Sequence, residues 1–308
     1  MSNDRPSRFF VVGAAKCGTT SVHHYLAQHP DIFLPKAIKE TNYFVYSNRA
    51  LDTAGAGNAD QRFQYLHRTT ITDAEDYEAL YAEAGSHQLR GEVCPRYLYY
   101  PNAARNIKEY APDAKIIAIL RNPIDRAFSH YKMLSEYGLA PNRFFRELEL
   151  EDDRIKSGWA WDWHYCGLGA YFSQMTNLLK YFDKSSVKVF LYRELARNPE
   201  QVMSDIFSFL EVDDHPISVG EKHMVSYLPK SQRLHALLGY HSNFPGKEML
   251  KKIIPRSVID KVREPISRIN QSKSAPSADE KAFILKKLRT DITKLEDLIQ
   301  KDLNFWMG

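Results

Sequence analysis

The chain has 308 residues, 44% of them hydrophobic, enough for one large domain or two small ones. A net charge of +4 is too mild for a protein built to hold nucleic acid, and suits one that holds a single polyanionic small molecule. Cys17, Cys94 and Cys166 are scattered and match neither a metal site nor a disulfide framework, so a reducing cytoplasm is the expected home.

Residues 1–8 are polar and lack the apolar core of a signal peptide. No apolar run approaches the ~20 residues that span a bilayer, so no membrane association is expected. Residues 9–12, Phe-Phe-Val-Val, form an apolar run long enough for a buried strand. The chain then breaks into Gly13, Ala14, Ala15 and Gly18 before a helix-like segment over 21–28. Strand, small-residue turn and helix make the local plan of a phosphate cradle. Its backbone N–H groups converge, Lys16 adds a full charge, and Thr19, Thr20 and Ser21 add hydroxyls. A nucleoside-triphosphate loop places its lysine directly after the last glycine. Here Lys16 precedes Gly18 by two residues, so the cradle differs from the ATP and GTP version.

The helix over 21–28 is expected to stop at His29-Pro30, with His23, His24 and His29 structural or on the surface. Glu40 then stands between Lys36 and Lys39 on one side and Tyr43 and Phe44 on the other. A carboxylate beside aromatic bulk can be desolvated into a usable base; an exposed Lys–Glu pair is the simpler reading. Residues 46–70 read as an irregular insertion and 73–84 as a capped amphipathic helix. Strands are expected over 89–93, 115–120 and 187–192, with helices over 102–110, 124–134, 171–182 and 199–210. Arg121, Arg126 and Ser129 fall at the end of a strand and the start of the next helix, where an anion can be clamped. A structural ion pair is the alternative for Arg121.

Residues 143–156 are strongly charged and read as a solvated helix. Trp159, Trp161, Trp163 and His164 follow, and the tryptophans suit an acceptor pocket, a lid or plain core. Lys230, Ser231 and Arg233 form a basic loop that suits a late phosphate contact or an ordinary exposed turn. Residues 271–279 read as a polar linker, and 278–306 as a long amphipathic helix that must dock on the main domain. The alternation of strand and helix predicts an α/β fold, a P-loop-like domain over 1–275 with a mostly parallel sheet flanked by helices. Residues 276–308 add a helix on the same domain, and 147–168 a variable segment on the acceptor side.

Taken together, these motifs resemble the sulfotransferases that use 3'-phosphoadenosine 5'-phosphosulfate (PAPS). The likeness is to the soluble bacterial branch related to the glycosaminoglycan and heparan sulfate enzymes. Residues 13–20, Gly-Ala-Ala-Lys-Cys-Gly-Thr-Thr, are similar to that family's 5'-phosphosulfate loop, and 119–129 to its 3'-phosphate motif. Residues 39–44 resemble its Lys-Glu-x-x-x-Phe segment, 91–95 its Gly-Glu-x-Ser-Pro segment, and Gly169-Ala-Tyr171 and Pro229-Lys-Ser231 fit less specifically. Cys17 and Cys94 stand where serine is common in the family.

The resemblance implies in-line transfer of a sulfuryl group to a hydroxyl or amine of a small-molecule or carbohydrate acceptor, with PAP as product and no metal. It implies Glu40 as base, with Glu92 in reserve, and Lys16 as the partner of the leaving oxygen. The expected donor contacts are Lys16, Cys17, Gly18, Thr19, Thr20, Ser21, Arg121, Ser129, Tyr192, Lys230, Ser231 and Arg233. The expected acceptor contacts are Lys39, Tyr43, Phe44, Glu92, Tyr97, Trp159, Trp161, Trp163 and His164. A P-loop kinase and a non-catalytic glycan-binding module are the alternatives, and a monomer or homodimer is expected.

Overall fold

A computed structural model describes residues 8–52, 54–55, 69–220, 228–229, 271–272 and 275–308. Strand β1 (Arg8–Gly13) is buried at every position and leads into α1 (Thr19–Leu26) and the short β2 (Ile32–Phe33). Helices α2 (Tyr43–Tyr46) and α3 (Ala74–Ala79) precede β3 (Leu89–Val93), α4 (Arg96–Tyr99) and α5 (Pro101–Tyr110). The apolar β4 (Lys115–Leu120) runs into α6 (Pro123–Glu136), followed by α7 (Phe144–Glu149), α8 (Glu151–Lys156) and α9 (Tyr171–Leu178). The sheet closes with β5 (Val187–Leu191), which passes directly into α10 (Tyr192–Arg197) and then α11 (Pro199–Leu210). A two-stranded ladder of β6 (Leu228–Pro229) and β7 (Gln271–Ser272) and the long α12 (Ala278–Ile299) complete the described chain.

The five strands are parallel in the order β2-β3-β1-β4-β5. Strand β1 is central because both of its faces are apolar and lie under helices. The chain builds outward from β1 to β3 on one side and to β4 on the other, so the C-terminal ends of β1 and β4 stand side by side at a topological switch point. Their loops, 13–18 and 121–123, therefore open into the same space.

Three expectations are corrected. The helix expected over 73–84 is regular only over α3, capped by the Asp73 carboxylate, and continues as turns. The charged stretch 143–156 is two helices, α7 and α8, and its inner face is buried. Glu147 there accepts from Arg154 at 2.5 Å and from the Asn142 backbone and side-chain amides, while Glu151 accepts from the N–H groups of Cys166 and Gly167. These carboxylates are fully used in tying down neighbouring loops, which is why they leave solvent. The C-terminal helix ends at Ile299, where Gln300 turns left-handed, and a short 3-10 turn carries Trp306 back into the core.

Helix α12 starts with a Ser277–Glu280 capping box and buries Ile284, Leu288, Ile292 and Leu295 against the domain. Among the described residues no helix is long and apolar enough to cross a membrane. Ile292→Ala in this seam is expected to cost about 2–5 kcal/mol through the lost contact and the cavity left behind, read as a shift of the urea midpoint. An unchanged midpoint would show that α12 does not contribute to the cooperative core.

Candidate active site

The loop after β1 makes two left-handed turns, at Lys16 (φ 67°) and Gly18 (φ 87°). A Cβ on Gly18 would stand 2.9 Å from Leu195 and 3.1 Å from Tyr192, so glycine is required there for both conformation and space. Helix α1 has no side-chain cap, and its first internal bond runs from Val22 N–H to Gly18 O at 3.1 Å. The N–H groups of residues 18–21 therefore precede the helical ladder and carry the positive end of its dipole.

Lys16 lies over this loop with its Nζ 3.4 Å from Met133 Sδ on α6. Burial brings its ammonium down to about 8, aided by the Arg121 charge and opposed by Glu136 and Glu40. Arg121, at the end of β4, donates from its NH1 to the Lys16 carbonyl at 3.1 Å and stacks over the Tyr192 ring at 4.6 Å. Its Nε is buried without a hydrogen-bond partner among the described residues. Ser129 lies two turns along α6, which Asn122 caps through Ile124 N–H.

Lys16, Gly18, Thr19, Thr20, Ser21, Arg121, Ser129 and Tyr192 all line one cleft of about 420 Å³, a volume in the range of small-ligand sites. Lys39, Glu40 and Trp161 line the same cleft. Glu40 is paired with Lys39 at 2.7 Å, and its side chain keeps 37% exposure. Trp161 carries the Arg96 guanidinium on its face at 4.8 Å. Arg96 also lies 3.9 Å from the buried Asp162, whose carboxyl burial pushes up to about 6 against the pull of that arginine.

The structure does not bring every expected residue to the cleft. Cys17 is wholly buried with its thiol turned toward the Ala15 carbonyl, and its N–H already bonds Ala14 O. Glu92, expected as an acceptor contact and reserve base, lies 1% exposed beneath the cleft. Its Oε1 accepts from Thr41 Oγ1 at 2.6 Å, Tyr97 at 2.8 Å and Thr41 N–H at 3.4 Å, and its Oε2 accepts from Tyr77 at 2.9 Å. Burial raises its carboxyl while these donors lower it. Glu92 is thus spent on holding the residue next to Glu40.

Tyr97 belongs to the same network, and Phe44 sits in an aromatic cluster with Phe10, Tyr43, Tyr77 and Tyr97. Tyr43 stacks on Tyr77 at 4.3 Å. Trp163 is core, its Nε1 donating to Leu139 O, and Trp159 packs edge-on against it. His164 pairs with Tyr99 at 2.6 Å, and burial brings it down to about 4. Lys230, Ser231 and Arg233 lie outside the described residues. Sequence reasoning missed Arg96, His130 and Asp162 as cleft residues. His130 directly follows Ser129 and Asp162 sits between two tryptophans, but neither spacing marks a ligand.

Two cationic loops of this α/β fold thus meet over adjacent strand ends in one cleft of a size that suits a small ligand. A model of the sulfotransferase family matches residues 6–216, and the chain belongs to that family. It is 29% identical to a crystallised sulfotransferase from Alicyclobacillus acidocaldarius, with a TM-score of 0.74 and 99% of each chain covered. It is 26% identical over 218 residues to the human bifunctional heparan sulfate N-deacetylase/N-sulfotransferase 2, covering 68% of this chain and 22% of that protein. Mouse heparan sulfate glucosamine 3-O-sulfotransferase 6 is 26% identical over 201 residues, covering 65% of this chain and 51% of that protein. The chain therefore spans a fifth to a half of the length of these two relatives.

The depressed Lys16 has two consequences. Its neutral form is favoured by folding, so the unliganded protein gains stability as pH rises from about 8 toward 10.5 and lacks that gain below 8. Lys16→Met is expected to stabilise the unliganded protein at pH 7 by about 1–3 kcal/mol and to flatten that rise, as read by urea unfolding. Anion affinity has the opposite sign: calorimetric binding of 3',5'-adenosine bisphosphate should weaken as pH rises through about 8. That pH step should be absent in Lys16→Met, whose residual binding is weaker throughout.

Proposed function

We propose that the protein transfers a sulfuryl group from PAPS to a hydroxyl or amine of a small-molecule or carbohydrate acceptor. The observation that carries this is the meeting, in one cleft, of the Lys16 loop and the Arg121–Ser129 segment. These are two anion sites about a hundred residues apart in the chain, suited to the two ends of one doubly phosphorylated adenosine. The fit is supported by the unsatisfied donors at the start of α1 and by the unpartnered Nε of Arg121.

The N–H groups of residues 18–21 and the hydroxyls of Thr19, Thr20 and Ser21 would hold the 5'-phosphate. Arg121 and Ser129 would hold the 3'-phosphate, which distinguishes this donor from ATP, and Tyr192 would back Arg121 through the stack at 4.6 Å. When bound, the donor supplies the sulfuryl group and the nucleotide leaving group. Lys16 would meet the negative charge that builds on the bridging oxygen as its bond to sulfur breaks. Glu40 would take the proton of the acceptor hydroxyl or amine as that atom bonds to sulfur. Asp162 is the other carboxylate lining the cleft among the described residues, but it is buried against Arg96, whereas Glu40 keeps access to solvent. The heparan sulfate enzymes among the relatives support a carbohydrate acceptor, and small-molecule alcohols and amines are the other class to screen.

Glu40→Gln is expected to lower donor consumption about 100-fold or more across an acceptor panel followed by mass spectrometry, while affinity for 3',5'-adenosine bisphosphate stays within about twofold. Wild-type turnover in this variant would remove Glu40 as base. In magnesium-free calorimetry the bisphosphate should bind far more tightly than ATP; the reverse order would favour a kinase.

A further inference from the structure

His130 lines the cleft yet is only 1% exposed. Its Nδ1 lies 3.4 Å from the NH1 of Arg126, one turn earlier on α6. A guanidinium can only donate, so Nδ1 is the acceptor and the ring proton of the neutral imidazole sits on Nε2. Arg126 is itself wholly buried and held by the Tyr165 carbonyl, so this arrangement is rigid. Burial, followed by the charges of Arg126 and Lys16, holds the ring well below the usual imidazole range. The Nε2–H is thus a standing donor, and it has no acceptor among the described residues. Unmatched buried donors are uncommon in native proteins, and this one lines a cleft, where a bound group can meet it.

The position of the ring says which group. Lys16 lines the same cleft and its charge acts on the imidazole. Trp161 lines it too; its ring meets His130 edge-on at 6.1 Å and carries Arg96 on its face. His130 therefore shares the cleft with the lysine of the loop after β1 and with Trp161. It cannot serve as the base, because Nδ1 faces a cation and Nε2 already holds its proton.

We propose that His130 is a further catalytic residue, whose Nε2–H donates a hydrogen bond to a non-bridging sulfuryl oxygen of the donor. This rests on the PAPS reading above. No proton leaves the ring: the contact orients the group while the bond from sulfur to the bridging oxygen breaks and the bond to the acceptor forms.

The test compares two nucleotides that differ only in the sulfuryl group, PAPS and 3',5'-adenosine bisphosphate, by calorimetry. The wild-type preference for PAPS should fall about tenfold or more in His130→Phe, while bisphosphate affinity stays within about twofold. His130→Gln, which can present an N–H near the same place, should recover part of the preference. Because His130→Phe leaves the buried NH1 of Arg126 without its acceptor and can fail to fold, a second measurement uses the wild-type protein labelled with ¹⁵N-histidine. The His130 Nε2–H resonance should move on adding PAPS and stay put on adding the bisphosphate. An unchanged preference in a folded variant, or equal responses to both nucleotides, overturns the proposal. A wild-type protein that binds neither nucleotide removes the donor reading itself, a separate and recognisable failure.

Discussion

The hydrogen bond from Arg121 to the carbonyl of Lys16 is the contact on which the site depends. It joins the loop after β1 to the end of β4, and it exists because those strands pair in parallel with Gly13 opposite Ala118. A slip of one residue in that register would turn the side chains of one strand to the other face and carry Arg121 away from the loop. The two cationic segments are therefore placed by the most buried part of the sheet. The stacking of Arg121 on Tyr192 adds a third strand, β5, to the same arrangement.

Charge in this cleft is held under strain. Lys16 is a half-buried cation among other cations, and Arg121 presents a buried Nε without a partner among the described residues. Such groups lower the stability of an empty protein and strengthen its hold on an anion, because the ligand supplies the missing counter-charge in a poorly screened space. The sheet beneath is apolar from Phe9 to Val12 and from Ile116 to Leu120, and that burial offsets the unfavourable wall above it.

Glu40 depends on a different support. Its neighbour Thr41 is gripped by Glu92 from below, while Thr69 donates to the Glu40 carbonyl from the side. Cys94 reaches Asn42 in the same way, with its thiol 3.3 Å from the side-chain Oδ1 of Asn42. The end of β3 thus clamps Thr41 and Asn42 while Thr69 holds Glu40, and Glu92 contributes to the site without reaching the cleft.

Much of the architecture was legible in the residues themselves. The apolar run 9–12, the glycines after it and the run 116–120 ending at Arg121 are local patterns, and local patterns decide strands, turns and the segments that bind anions. The family resemblance singled out Glu40 for the same reason, since its motif is contiguous. What no local pattern could decide was which side of an element faces the cleft. Glu92 and Trp163 have the chemistry of site residues and are buried by packing, whereas His130, Arg96 and Asp162 become cleft residues only because α6, α4 and the 161–163 turn converge over the ends of β1 and β4. Convergence of separate elements is a property of the packed core, set by long-range burial, and a linear pattern of residue types carries no record of it.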